Sequence, residues 1–257
     1  MAIDLDGTLL DSKGQVPAHV GEALQRAAKA GMILAPATAR WYQAAIRPFA
    51  ALGIQAAAIA SAGADVRLHT GEAVAQHRLP GEFAKFVAEL CDRAGWPATL
   101  AVPGKAYRRA NELPAWAANA PEWLQPVTSL AEVDLSELLA VLAEAPAGDP
   151  ALGELMAWRG RVSLHDAISF SGDGMVTATA AGVDKGSALL ELCAALGVEP
   201  AEAVAIGDSE VDIPMLRAAG LAVAVVTGTD ETKAEADQLI AGPDAGGIVE
   251  FLERLLA

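Results

Sequence analysis

Short apolar runs alternate with stretches of helical periodicity at both ends of this chain, and the alternation changes character in the middle. Residues 1–5 are apolar apart from Asp4. Pro17 then opens a helical pattern carried by Val20, Leu24, Ala27 and Ala30, which Gly31 closes. Proline suits the first turn of a helix, and glycine the left-handed residue that ends one. Residues 32–36 read as a buried strand, 40–52 as a helix ended by Gly53, and 56–60 as a further buried strand. A hairpin is expected from 65–69 and 73–78, around Thr70-Gly71.

The last third repeats the rhythm. It reads as a helix over 185–196 closed by Gly197, a strand at 202–206, a short helix over 213–219 and a strand at 221–226. A polar helix near 230–237, a short strand at 238–240 and a final helix reaching 256 follow. Apolar strands alternating with helices predict an α/β fold, a Rossmann-like parallel sheet with helices on both faces. Residues 77–183 differ: they hold four of the five tryptophans, a Pro-rich stretch at 111–126, and two strand-like runs, 161–170 and 175–180, around Gly172-Asp173-Gly174. Asp-Gly is a strong hairpin signal. The expected organisation is therefore a core of residues 1–76 and 184–257 with an inserted α+β domain over 77–183.

Composition narrows the class. The chain has 257 residues and is 53% hydrophobic, with a mean hydropathy of +0.32. Alanine supplies much of that figure, and no apolar run approaches the roughly 18 residues of a spanning helix. No charged-then-apolar leader opens the chain. A cytoplasmic protein without a membrane partner is expected, as monomer or homodimer. The net charge of −15 lacks the cationic field that gathers nucleic acid, so no nucleic-acid partner is expected. An anionic substrate would need a few local positive groups or a bound cation. Cys91 and Cys193 lie far apart outside any CxxC or Cys/His cluster, which predicts reduced core thiols. His19, His69, His77 and His165 share no metal-ligand spacing.

Candidate chemistry begins at Ile3-Asp4-Leu5-Asp6-Gly7-Thr8, where two carboxylates follow a strand. In an open parallel sheet, ligands bind beyond the carboxyl ends of the strands. Two acids this close repel each other unless a cation intervenes or one is protonated, so the pair suits a metal site or an acid beside a base. A solvated Asp-Gly turn is the plainer alternative. Residues 205–216 repeat the geometry: Gly207 ends a strand, Asp208 follows, and Asp212 comes four residues later. A small hard cation takes one or two protein carboxylates and keeps several waters. Asp4 and Asp208 on neighbouring strands could supply them with Asp212 in support, although Asp212 also reads as a helix-start residue. Thr38 offers a hydroxyl and backbone N–H groups to an anion, or is a helix N-cap. Lys185 stands at a helix entrance that favours phosphate oxygens, or is an exposed lysine.

The order D-x-D-G-T, Thr, Lys, G-D-x-x-x-D resembles the haloacid dehalogenase (HAD) superfamily, specifically the Cof-type phosphatases with a C2-type cap between the second and third motifs. The likeness covers essentially the whole chain, including the approach to Lys185, the phrase from Gly207 to Gly220 and the closing stretch from Gly246. It implies a Mg²⁺-dependent phosphatase acting on a small phosphorylated metabolite, such as a sugar phosphate, through an aspartyl-phosphate. Asp4 would be the nucleophile and Asp6 the acid, then base. Thr38 and Lys185 would hold phosphate oxygens. Asp4, the carbonyl of Asp6, and Asp208 would bind Mg²⁺, with Asp212 behind them. The cap would choose the substrate. An acid at position 6 favours phosphate esters over the dehalogenase reaction. Phosphotransferases and phosphomutases share this machinery, and a catalytically weak sugar-phosphate binding protein is a further alternative.

Three departures from the family pattern motivate that last alternative. Val211 stands where relatives usually carry asparagine, Ala62-Gly63-Ala64 where they often have Asn-Gly-Ala, and residues 226–229 lack a common Gly-Asn-Ala. Only three residues precede Asp4, so a truncated start and a short central strand are expected. Arg40 is expected either to touch substrate or to form a salt bridge. The four tryptophans of the middle segment (Trp96, Trp116, Trp123 and Trp158) are expected in the cap's own core rather than as a substrate platform.

Overall fold

The computed structural model describes residues 1–113, 122–168 and 174–257, with side chains left aside for 166–168. Trp116 and the expected turn at Gly172-Asp173 lie outside the described residues. The chain divides into two compact units, residues 1–75 with 184–257, and residues 76–183.

In the first unit, β1 (Ala2–Ile3), β2 (Ala35–Pro36), β12 (Val204–Gly207), β13 (Leu221–Val225) and β14 (Gln238–Ile240) form one sheet in the order β14-β13-β12-β1-β2. Every pairing in it is parallel. Strand alternation sorts the side chains into two layers. Ile3, Ile206, Val223 and Val225 pack with Val20 and Leu24 of α1 (Ala18–Lys29) and Phe251 of α8 (Gly247–Leu255). Ala2, Ala35, Ala205 and Ala222 face the other way, against Leu189 and Leu192 of α5 (Lys185–Leu196) and Met215 of α6 (Ile213–Ala218). Helices thus cover both faces, as the alternation predicts.

Several expected elements are shorter than their apolar runs. The run at 32–36 yields only Ala35–Pro36, because Gly31 and Met32 donate back to Ala28 O and Ala27 O to close α1. The helix expected from residue 40 starts later, as α2 (Tyr42–Ala51), because the Arg40 carbonyl accepts from Ser61 N instead of a helical partner. The strand expected at 56–60 becomes β3 (Ala58–Ala60). It heads a separate three-stranded sheet with β4 (Asp65–Arg67) and β5 (Ala73–Gln76), the expected hairpin. A parallel bridge from Ala37 to Ile59 still ties it beside β2.

The second unit is a six-stranded sheet in the order β10-β11-β9-β6-β7-β8, made of β6 (Ala98–Val102), β7 (Lys105–Arg109), β8 (Leu124–Val127), β9 (Ala140–Glu144), β10 (Val162–Ile168) and β11 (Gly174–Ala180). All its pairings are antiparallel except β7 with β8. Helix α3 (Gly81–Ala94) and the short α4 (Ala151–Met156) supply its core with Phe83, Val87 and Leu155, around Trp96. Trp158 packs edge-on to Phe83, with ring centroids 5.2 Å apart. Both cysteines are buried free thiols. No helix among the described residues is long and apolar enough to cross a membrane.

Candidate active site

The chain leaves β1 toward β2 on one side, and the later strands β12, β13 and β14 build outward on the other. The carboxyl ends of β1 and β12 therefore flank the point where strand order reverses, the usual ligand site of an open parallel sheet. Asp4 follows β1, with its N–H donating to Ile206 O at 2.9 Å, and Asp208 follows β12. The turn that brings them together needs Gly7. It has φ +93°, and a Cβ there would run into the Asp208 carboxylate.

Lys185 is the hub. Its Nζ donates to Asp4 Oδ1 at 2.7 Å and to Asp212 Oδ1 at 2.6 Å, and the residue is only 3% exposed. It is neither an exposed lysine nor free to wander. Asp184 caps its helix, accepting from Gly186 N and Ser187 N, while Ser187 Oγ accepts from Asp184 N. An ammonium has three N–H donors, and the two carboxylates use two of them. Burial alone would pull the lysine's pKa down, but the Asp212 and Asp4 charges outweigh it and hold the group above the usual lysine range.

Asp212 is committed on both oxygens. Oδ2 accepts from Asp208 N at 3.0 Å, Ser209 N at 3.1 Å and Ser209 Oγ at 3.2 Å. It therefore fixes the loop that presents Asp208 as well as holding Lys185. Thr8 Oγ1 donates to Asp208 Oδ1 at 3.1 Å. Thr8 and Ser209 were not singled out from the sequence. The signal was present, since each hydroxyl sits inside an acidic motif, but their partners are set only by the fold.

Asp4, Asp208 and Asp212 each offer a ligand atom within 4.8 Å of the others. Burial first, then the Asp212 and Asp208 charges, push the Asp4 carboxyl well above the ordinary range, with Lys185 opposing. Burial and the Asp212 charge push Asp208 up to about 6. Asp4 Oδ2 is buried without a hydrogen-bond partner. An orphaned carboxylate oxygen beside a second raised carboxyl is what a small oxygen-seeking cation relieves. The residues fit Mg²⁺, with Asp4 and Asp208 offering oxygens and Asp212 already occupied.

The other two predicted residues lie on the same unit. Thr38 is 2% exposed. Its N–H is taken by Ile59 O at 2.9 Å, so of the groups expected to meet an anion at this residue, the hydroxyl is the one left. That hydroxyl accepts from Arg40 N at 3.2 Å. Thr38 is not a helix cap, since Trp41 precedes α2. Asp6 is more open. Arg40 grips both its oxygens, Nε donating to Oδ2 at 2.9 Å and Nη2 to Oδ1. Arg40 thus forms the expected salt bridge.

A family model described as haloacid dehalogenase-like hydrolase matches residues 1–252. The phosphoglycolate phosphatase of Methanothermobacter thermautotrophicus is 25% identical over 260 positions, covering 100% of this chain and 98% of that protein. The phosphoglycolate phosphatase of Methanopyrus kandleri is 45% identical over 74 residues, 29% of this chain. That match spans 32%, about a third, of the relative's length. Among solved structures, a haloacid dehalogenase-like hydrolase from Bacteroides thetaiotaomicron superposes with a TM-score of 0.83 at 22% identity, covering 99% of this chain and 98% of that one. The second unit, residues 76–183, lies between Thr38 and Lys185 along the chain. With the acidic strand ends, the buried lysine and the family model in agreement over nearly its full length, the chain belongs to the haloacid dehalogenase-like hydrolases.

Proposed function

We propose that the protein is a Mg²⁺-dependent phosphatase that hydrolyses a small phosphorylated metabolite through an aspartyl-phosphate on Asp4. The observation that carries this reading is the buried Asp4 carboxylate, held on one oxygen by Lys185 and left without a partner on the other. Asp4 attacks phosphorus as the ester P–O bond breaks, and Asp6 gives a proton to the leaving oxygen. Water then attacks the phosphorus of the acyl phosphate, Asp6 takes its proton, and inorganic phosphate departs from a regenerated Asp4. Dividing hydrolysis this way replaces one hard step with two easier ones. Lys185 and the Thr38 hydroxyl hold phosphoryl oxygens in line. Asp4, the Asp6 carbonyl and Asp208 are the residues to hold Mg²⁺, with Asp212 supporting from behind. The ion, when bound, neutralises charge on the phosphoryl oxygens. We assign the choice of leaving group to the inserted unit.

The test is Mg²⁺-dependent release of p-nitrophenolate from p-nitrophenyl phosphate, followed by a panel that includes phosphoglycolate and sugar phosphates. Asp4→Asn and Asp208→Ala should each reduce turnover to background. An Asp4→Asn protein that kept its activity would rule out the covalent route.

A further inference from the structure

Arg40 holds Asp6 by a two-point grip, and its own backbone is held in turn. Ser61 N donates to Arg40 O at 2.8 Å and Ala62 N to Thr38 O at 2.9 Å, while Arg40 N donates to Thr38 Oγ1. The donors come from an unusual turn: Ser61 and Ala62 have φ of +52° and +54°, and Gly63 follows at +101°. Left-handed backbone at residues other than glycine costs energy and persists only where its surroundings enforce it. Here the enforced shape aims two successive N–H groups at the Thr38–Arg40 segment. A Cβ on Gly63 would strike the Asp184 carbonyl, at the cap of the helix that carries Lys185. One turn therefore sets the segment that holds Asp6 and abuts the helix end that holds Lys185.

We infer that Arg40 is a positioning residue for the dephosphorylation half of the reaction: it aligns the Asp6 carboxylate that takes the proton of the attacking water. The inference rests on the phosphatase reading above. A guanidinium fork fixes both oxygens of a carboxylate in one plane, which a lysine ammonium cannot do. The Asp6 carboxyl has one other role, protonating the leaving oxygen, and a p-nitrophenolate leaving group does not need it. An aryl ester therefore isolates the step in which Arg40 acts.

Pre-steady-state release of p-nitrophenolate, with acid quenching to trap phosphoenzyme, tests this on the full chain in Mg²⁺. A positioned general base is worth about 10²- to 10⁴-fold. Arg40→Met should keep a rapid first turnover of nearly one product per site while steady-state kcat falls at least about tenfold, with phosphoenzyme accumulating. Arg40→Lys should fall between. A slowed first turnover with a raised KM and no trapped phosphoenzyme would instead make Arg40 a phosphate contact and overturn the inference, leaving the phosphatase reading intact. A wild-type chain that formed no phosphoenzyme would sink that reading, and the positioning role with it. A crystal structure of Arg40→Met with the Asp6 carboxylate unmoved would also defeat it.

Discussion

At the scale of single residues, the site depends on groups that have no chemistry of their own. Gly7 is the clearest case, because both its positive φ and its distance to Asp208 exclude a side chain. Gly7→Ala should cost about 1–3 kcal/mol of stability from backbone strain and, separately, push the Asp208 carboxylate out of reach of Asp4. Calorimetric titration should find Mg²⁺ binding lost while circular dichroism still reports a folded chain; unchanged affinity would show that the two carboxylates do not share an ion. Gly207 is held to glycine by space alone, since a Cβ there would lie 2.5 Å from Asp212 Cβ. The sequence motifs made Gly7 visible as a turn residue and Gly207 as the end of a strand. The packing of Gly7 against Asp208, about two hundred residues away, was not legible, and neither were the hydroxyls of Thr8 and Ser209.

At the scale of elements, the helix with signals at both ends, α5, was readable to the residue. Helix α5 begins at Lys185 and ends at Leu196 before Gly197, as its pattern predicts. The elements that shifted did so where a terminal group found a partner outside its own element, as at Arg40 and Glu202. Glu202 N donates to Glu199 O in a tight turn, which postpones β12 to Val204. The insert shows the same economy at the end of α3. There Asp92 accepts from Ser129 Oγ at 2.7 Å and Ala131 N at 3.1 Å and pairs with Arg109 at 3.2 Å. Burial alone would raise this carboxyl, but the hydrogen bonds from Ser129, Ala131 and Leu130, with the Arg109 charge, leave it below the ordinary range. A carboxyl lowered by folding contributes stability that is complete above its unfolded value of about 3.9 and is lost as pH falls through its folded value. Urea melts between about pH 5 and 2 should therefore lose less stability in Ser129→Ala than in the parent. Parallel curves for the two proteins would mean that this contact does not set the carboxyl's proton affinity.

At the scale of the whole molecule, the alternation of strand and helix fixed the class of fold, while the inserted unit was legible mainly as a change of composition and a hairpin signal. Its sheet order, with β7 and β8 parallel among antiparallel neighbours, depends on long-range pairing that no local pattern encodes. Net charge acts at this scale too. A chain of net charge −15 presents a repulsive field to a phosphate dianion, and the compensating groups, Lys185 and a site for a cation, are buried and local. Long-range repulsion is screened by salt, whereas a short-range contact in a buried site is affected much less. Between about 0.01 M and 0.15 M ionic strength the screening length falls from about 30 Å to about 8 Å. With Mg²⁺ saturating throughout, kcat/KM for a dianionic ester should therefore rise with added salt, while kcat stays nearly constant. Enzymes that steer anions with a basic surface show the opposite slope. A fall in kcat/KM across that range would mean that the local field near Lys185 reaches well into solvent, and that overall charge does not govern how this site meets its substrate.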